Sequence, residues 1–269
     1  MLVLLLILLA AFQVTVTDYL ITNPDFYQLD AYTWESDGFR AMELGERIAS
    51  EQDLDMDVLT SLMIQEEYDL RDLKPDEPLK ANPLIKKRRP VDYNKLLHGY
   101  EAVFKDLRYF PIPDSSRPDT PDVAYEDGWQ DKRTYGGDRR HEGCDIMGTR
   151  RQRGYYPVVS ISDGAVENVG WLEQGGWRIG IRTSSGLYIY YAHLYGYSRT
   201  WEKGDQVRAG ELLGFMGDTG YSAVEGTVGN FDVHLHVGLY LRTDHYEELS
   251  VNPYWVLKYL EKRRLVYDY

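Results

Sequence analysis

Two histidines stand one residue apart in the segment VHLHVGLY, Val233 to Tyr240, which otherwise has the apolar pattern of a buried strand. On a strand, residues i and i+2 point to the same face, so His234 and His236 would project side by side. Two adjacent imidazoles are costly in an apolar core and useful around a metal ion. The pair therefore marks a candidate site on one face of a sheet.

Three other residues in the second half of the chain extend this candidate site. His141 and Asp145 lie four residues apart in RRHEGCDIM, and His193 lies in YYAHLY. A catalytic zinc ion keeps three imidazole or carboxylate ligands and leaves one position for water. His141, Asp145 and one histidine of the pair would supply such a set, and two histidines would remain for acid–base chemistry. Each residue alone is weak evidence, because an isolated histidine is more often a satisfied core or surface residue.

The segments HEGCD, YYAHL and HLH resemble the signature motifs of the lysostaphin-type, LytM-like zinc endopeptidases. The intervening segments SDGAVENVGW and GDQVRAGELLGFMGDTG are also similar to that family, and the resemblance covers roughly residues 107–255. Members of the family are exported bacterial enzymes that cut peptide cross-links in cell-wall peptidoglycan. The ordered set of motifs is specific, whereas H-x-H or H-x-x-x-D alone occurs often by chance.

The resemblance implies a role for each of the five residues. His141, Asp145 and His236 match the zinc ligands, and His193 and His234 match two catalytic histidines that do not bind the metal. The implied function is zinc-dependent hydrolysis of peptide cross-links in peptidoglycan. The alternative is a catalytically silent wall-binding scaffold or an activator of another cell-wall hydrolase. Because silent relatives lack one or more of these residues, the presence of all five favours the enzyme.

Three features beside the motifs complete the candidate site. Tyr135 lies where members of the family have a tyrosine that stabilises the oxyanion, although it could also simply pack in the groove. The segment YSAVEGTVGNFDV (221–233) is several residues longer than the usual turn before H-x-H, so it could tune substrate choice or occlude the site. Cys144 adjoins Asp145 and should face the opposite side of an extended segment, as a small core residue.

Composition limits the classes of partner. The chain has 269 residues and a net charge of −13, with 25 acidic and 13 basic residues in 1–130 against 18 and 17 in 131–269. This balance argues against nucleic acid as a partner, because phosphate binding needs a basic surface. A single cysteine excludes an internal disulfide.

The first residues, MLVLLLILLAAFQVTV, are apolar apart from Gln13 and Thr15. Such a run is typical of a signal-peptide core or a short membrane anchor, here assigned to residues 1–17. No Lys or Arg precedes the run, and no clean cleavage site follows it. We expect an extracytoplasmic protein, either secreted or anchored at the outer face of the bacterial membrane.

The periodicity of the remaining chain predicts an α+β fold. Residues 18–106 are largely helical in pattern, with helices expected in 36–52, 55–70 and 92–107 and a Pro-rich connector over 74–90. Residues 107–250 have period-two alternation and frequent turn signals, which predict an antiparallel β-sheet, and 251–269 should contain a C-terminal helix. The resemblance adds an open groove in a duplicated-hybrid-motif-like sheet domain. The helical region could bind a cell-wall, division or sporulation partner.

Overall fold

The computed structural model of the protein describes residues 2–22, 29–135 and 137–269. Its first element is the apolar helix α1 (Leu2–Thr22). The stretch Leu2–Leu20 is long and apolar enough to cross a membrane, and none of it is buried inside the protein. The apolar leader predicted from the sequence is therefore a continuous exposed helix.

The rest of the N-terminal half consists of short helices. After a 3-10 turn at Thr33–Glu35, they are α2 (Asp37–Ala41), α3 (Gly45–Ala49), α4 (Met56–Gln65), α5 (Pro83–Arg88) and α6 (Pro90–Phe104). Three of them begin at side-chain caps, because Ser36, Asp55 and Asn82 each accept hydrogen bonds from backbone N–H groups of the first turn.

Two sequence expectations for this half need correction. The helix expected over 36–52 is divided into α2 and α3, because Met42 ends α2 in a left-handed conformation with φ of 51°. The Pro-rich connector contains the helix α5, which starts with the cap Asn82 and with Pro83 at its first position, a favourable place for proline.

The C-terminal half is a mostly antiparallel β domain. Its strands are β1 (Asp114–Ser115), β2 (Val123–Ala124), β3 (Lys132–Arg133), β4 (Arg139–Arg140), β5 (Cys144–Gly148), β6 (Pro157–Val159), β7 (Gly164–Leu172), β8 (Gly176–Arg182), β9 (Tyr188–Tyr197), β10 (Gln206–Val207), β11 (Leu212–Met216), β12 (His234–Leu241), β13 (Leu249–Val251) and β14 (Val266–Tyr267). The helix α7 (Tyr254–Leu260) lies between the last two strands.

One large open sheet carries the candidate site. Its described strands run in the order β10-β7-β8-β9-β12-β5-β2, with β11 and β6 continuing from β9 and with β13 paired to β12. The predicted α+β fold with an antiparallel sheet is thus confirmed. The residues of β12 alternate: Leu235, Val237 and Leu239 are buried in the core, whereas His234 and His236 line a cavity on the other face.

The helical half packs directly on the β domain. Buried residues of both halves belong to one hydrophobic cluster. The Arg40 side chain donates to Ser250 O at 3.0 Å, and the Asn252 N–H donates to Arg40 O at 2.7 Å. The Trp255 indole donates to Glu43 at 3.0 Å. The helices therefore form part of the support of the sheet.

Candidate active site

Three predicted ligands converge on one point at the junction of β5 and β12. Asp145 Oδ1 lies 3.1 Å from His141 Nε2 and 2.9 Å from His236 Nδ1, and the two ring nitrogens are 3.1 Å apart. The strand register explains the meeting, since His236 pairs directly with Asp145. One ligand atom from each residue lies within 4.8 Å of the others, a spacing that could hold a metal ion.

Hydrogen bonding shows that these residues fit a divalent cation. His141 Nδ1 lies 2.8 Å from Gly128 O, and a carbonyl oxygen can only accept, so this nitrogen carries the proton. In a neutral imidazole, Nε2 then presents a lone pair to the Asp145 carboxylate oxygen. A proton or a metal cation must lie between two such acceptors. Imidazole and carboxylate ligands with a carbonyl-bound second nitrogen are typical of zinc.

The environment of Asp145 keeps it charged. Burial alone would raise the pKa of its carboxyl, but the His141 and His236 imidazoles beside Oδ1 outweigh burial and hold that pKa well below its usual range. The second oxygen, Oδ2, accepts from Arg133 Nη2 at 2.7 Å. The carboxylate is therefore oriented from one side by an arginine, and Oδ1 faces the His141 and His236 nitrogens.

The two other histidines place one nitrogen each in the same cavity. His193 Nδ1 donates to Thr219 O at 2.8 Å, and His234 Nδ1 donates to Asp232 O at 2.7 Å. Their rings are 4.7 Å apart, and His234 Nε2 lies 3.7 Å from Asp145 Oδ1. Burial and the neighbouring His234 and His236 hold the pKa of His193 well below its usual value, so its Nε2 carries a free lone pair at neutral pH.

A β-bulge gives His193 its position. Between β8 and β9 the register shifts, because Ile179 pairs with Tyr191 whereas Trp177 pairs with Leu194, so β9 contains one extra residue. His193 occupies this bulge with φ of 62°. Tyr191 and Leu194 are fully buried in the core, while His193 lines the cavity. The bulge thus re-aims the imidazole towards the ligand group.

The five residues lie in a cavity of about 620 Å³ on the open face of the sheet. Tyr221 and Phe231, from the long segment before β12, form one wall, with the Phe231 ring 4.6 Å from that of His193. Because the cavity remains present beside them, the long segment forms a wall and does not fill the site.

Tyr135 lies behind this wall. Its ring stacks on Tyr221 at 4.2 Å with an interplanar angle of 3°, and its hydroxyl is 3.5 Å from Glu173. Tyr221, not Tyr135, is among the residues that line the cavity. A role of Tyr135 in oxyanion stabilisation stays a prediction.

Sequence reasoning missed Arg133, Arg178, Tyr221 and Phe231, all of which line the cavity. Arg133 belongs to a hairpin in which β3 and β4 pair Lys132 with Arg140. The basic dipeptides on either side of TYGGD, just before the HEGCD motif, were the available signal. Arg178 carried no local signal, because only the pairing of β8 with β9 brings it to the site.

Comparisons with known proteins agree with this geometry. The sequence profile of Peptidase family M23 matches residues 139–253, which contain the five converging residues. The L-Ala–D-Glu endopeptidase of Bacillus subtilis is 37% identical over 173 residues, or 64% of this chain and 49% of that protein. The glycyl-glycine endopeptidase ALE-1 of Staphylococcus capitis is 40% identical over 68 residues, 24% of this chain and 18% of its own length. The chain thus spans about half the length of the Bacillus relative.

A solved structure extends the likeness to the helical half. The crystal structure of a candidate glycyl-glycine endopeptidase LytM from Ruminococcus gnavus superposes with a TM-score of 0.75 at 40% identity. The match covers 87% of this chain and 94% of that one. This chain therefore belongs to peptidase family M23.

Proposed function

We propose that this protein is a zinc-dependent endopeptidase that hydrolyses peptide cross-links of bacterial peptidoglycan. The observation that carries the proposal is the convergence of His141, Asp145 and His236 with His193 and His234 in one cavity. Relatives named for endopeptidase activity on L-Ala–D-Glu and glycyl-glycine bonds support the substrate class.

His141, Asp145 and His236 would hold the zinc ion through Nε2, one carboxylate oxygen and Nδ1. A bound zinc ion supplies Lewis acidity that polarises a carbonyl and makes water a usable nucleophile near neutral pH. Arg133 and the Gly128 carbonyl orient two of these ligands, Asp145 and His141. Such outer contacts fix the ligand geometry.

His193 and His234 would act as the general base and general acid. With Nδ1 of each ring bonded to a backbone carbonyl, Nε2 is the atom free to accept a proton from water. The protonated ring could then donate to the oxyanion or to the departing amine. Tyr135 is proposed as a further oxyanion donor, and its stacking on Tyr221 keeps it beside the cavity wall.

We further propose that the protein acts outside the cytoplasm. The exposed apolar helix α1 suits a signal sequence or an anchor that holds the enzyme at the outer face of the membrane. In this proposal residues 107–250 are the peptidase domain, and the helical region 18–106 supports it or binds a cell-wall partner.

The test is a digest of purified peptidoglycans of several cross-link types, with zinc and with chelator, analysed by mass spectrometry. Cleavage of peptide bonds in the zinc sample alone is expected. His234→Ala should keep its zinc and lose hydrolysis by at least about 100-fold, whereas His141→Ala should lose zinc as well. A folded, zinc-loaded protein that cuts none of the substrates would contradict the proposal and favour the silent wall-binding scaffold.

A further inference from the structure

One nitrogen of an arginine that lines the cavity has no hydrogen-bond partner. Nη1 of Arg178 is buried and has no hydrogen-bond partner within the described ranges, and Arg178 lines the cavity. The other buried side-chain polar atoms without a partner in those ranges belong to residues that do not line it. A buried, unpaired guanidinium N–H is unfavourable by the full cost of its desolvation.

Two other arginines near Arg178 are paired with carboxylates. Arg182, four residues further along β8, forms two hydrogen bonds of 2.7 Å with Glu167. Arg133 is paired with Asp145 at 2.7 Å. The carboxylates of Glu142 and Glu248 also line the cavity, but neither forms an ion pair with Arg178 among the described residues.

The strand register places Arg178 at a defined distance from the metal ligands. Asp145 pairs with His236 on β12, and His236 pairs with Ala192 on β9. Arg178 follows on β8, opposite the bulge at Ala192 and His193. Two strand spacings separate the backbones of His236 and Arg178, about 10 Å. Ala192 lies between them, and its small side chain leaves space above the sheet for a ligand.

This distance suits one extended peptide lying across the strands. A carbonyl at the ligand group and a carboxylate one or two residues away would span it, at about 3.3 Å per residue plus a side chain. The planar guanidinium binds a carboxylate through two parallel N–H···O bonds. Arg178 lines the cavity and forms no ion pair with a carboxylate among the described residues, so it can offer such a pair of bonds to a ligand.

We propose that Arg178 binds a free carboxylate of the substrate beside the scissile bond and thereby selects peptides with an acidic residue there over glycine cross-links. The inference rests on the proposed peptidase function for the position of the scissile bond. An Ala–D-Glu peptide carries such a carboxylate, since one of the two carboxyl groups of glutamate stays outside the peptide bond. A glycyl-glycine bridge carries none.

Binding of a matched pair of peptides tests the inference. One peptide contains Ala–D-Glu with its free carboxylate, and the other carries the carboxamide at the same position. Titration calorimetry uses the zinc-loaded, full-length His234→Ala protein, so that neither peptide is consumed. This protein is compared with the same protein carrying Arg178→Gln, Arg178→Lys or, as the control, Arg182→Gln.

We expect the carboxylate peptide to bind roughly ten-fold or more tightly than the carboxamide, as for a charge-assisted hydrogen bond. Arg178→Gln should abolish the preference, Arg178→Lys should retain part of it, and Arg182→Gln should leave it unchanged. Equal affinity for the two peptides, no binding of either, or a preference that survives Arg178→Gln would overturn the inference.

Hydrolysis is measured separately with the wild-type protein. A carboxylate preference without cleavage of the Ala–D-Glu peptide would remove the proposed activity and leave the carboxylate subsite standing. Cleavage of both peptides at equal kcat/KM would support the proposed activity and overturn the carboxylate subsite. The comparison of the two peptides, by binding to His234→Ala or by hydrolysis with the wild-type protein, does not use Arg178→Gln and so does not depend on how well that variant folds.

Discussion

At the scale of single residues, His193 shows how the backbone serves the site. Its φ of 62° lies in the left-handed region, which costs a residue with a Cβ about 1–2 kcal/mol. The His193 N–H donates to Gly175 O at 2.8 Å, and Nδ1 donates to Thr219 O, so both backbone and ring are fixed. Strain of this kind accumulates where a side chain must be aimed at a reaction.

Replacing His193 separates this strain from the chemistry. His193→Ala and His193→Gly should both lose hydrolysis by at least about 100-fold, because the Nε2 lone pair is gone. His193→Gly should be more stable than His193→Ala by about 1 kcal/mol, because glycine adopts positive φ without a Cβ clash. Urea unfolding of the two variants measures the difference. An alanine variant as stable as the glycine variant would show that the conformation is not strained.

Gly143 should be needed for the geometry of the ligand group. A Cβ at this position would lie 2.4 Å from His236 Cε1 and 2.7 Å from Val237 O. Gly143→Ala should therefore displace His236, weaken zinc binding by roughly 10- to 100-fold and destabilise the fold by about 1–3 kcal/mol. Competition with a zinc-sensitive dye and thermal unfolding measure the two effects.

Gly196 supplies the matched control for this substitution. It lies in β9 and has no heavy atom within 4 Å of a built Cβ. Gly196→Ala should leave zinc affinity unchanged. If Gly143→Ala binds zinc as tightly as Gly196→Ala, then close packing at Gly143 does not position His236.

The sequence predicted part of this arrangement. The pleat of a strand puts His234 and His236 on one face, and that prediction agrees with the cavity they line. Strict alternation along YYAHLY, however, would place His193 with the buried Tyr191. Only the bulge and the positive φ bring its ring to the cavity, and neither follows from residue types alone.

At the scale of elements, the long segment before β12 is held by one buried carboxylate. Asp218 is 2% exposed and receives two hydrogen bonds from Arg153, at 2.6 and 2.8 Å. It also accepts from the Gly229 N–H at 3.0 Å. Since the segment carries Tyr221 and Phe231, Asp218 fixes the cavity wall from outside the cavity.

Asp218→Asn should loosen this wall. An amide keeps the shape but loses the charge and one acceptor for Arg153, which is itself partly exposed, so a loss of about 1–2 kcal/mol of stability is expected. KM should rise more than kcat falls, because the binding surface moves while the histidines stay in place. Hydrogen exchange over 221–231 and steady-state kinetics measure the two effects. Unchanged exchange in this segment would show that Asp218 does not hold it.

The sequence predicted those elements that have a clear local periodicity. The antiparallel sheet predicted from alternation over 107–250 includes β7, β8 and β9 as adjacent antiparallel partners. The helix α5 was not predicted, because a segment rich in proline and charge is typical of a connector, although Asn82 and Pro83 form a favourable helix start. The two-residue strands depend on long-range pairing and left no local periodicity.

At the scale of the whole molecule, a series of contacts connects the helical half with His141, a proposed zinc ligand. The Asn252 N–H donates a hydrogen bond to Arg40 O near the end of α2. The Asn252 side chain donates to Asp127 at 3.0 and 3.2 Å. The adjacent Gly128 carbonyl orients His141. This connection was absent from the sequence predictions, because periodicity within a segment does not show which distant segment it contacts.

If the helices support the site in this way, Asn252→Ala should weaken zinc binding without touching a ligand. Loss of the Asp127 contact frees the segment that carries Gly128, and an affinity loss of up to about ten-fold follows from poorer orientation of His141. A buried partner is also lost, so stability should fall by about 1–2 kcal/mol.

Zinc competition and thermal unfolding measure the two effects. Lys95→Ala is the control, since it removes an ion pair to Asp244 between the same two halves. Zinc affinity that falls equally in both variants would assign the effect to general loosening, and affinity unchanged in Asn252→Ala would show that His141 is oriented without help from the helical half.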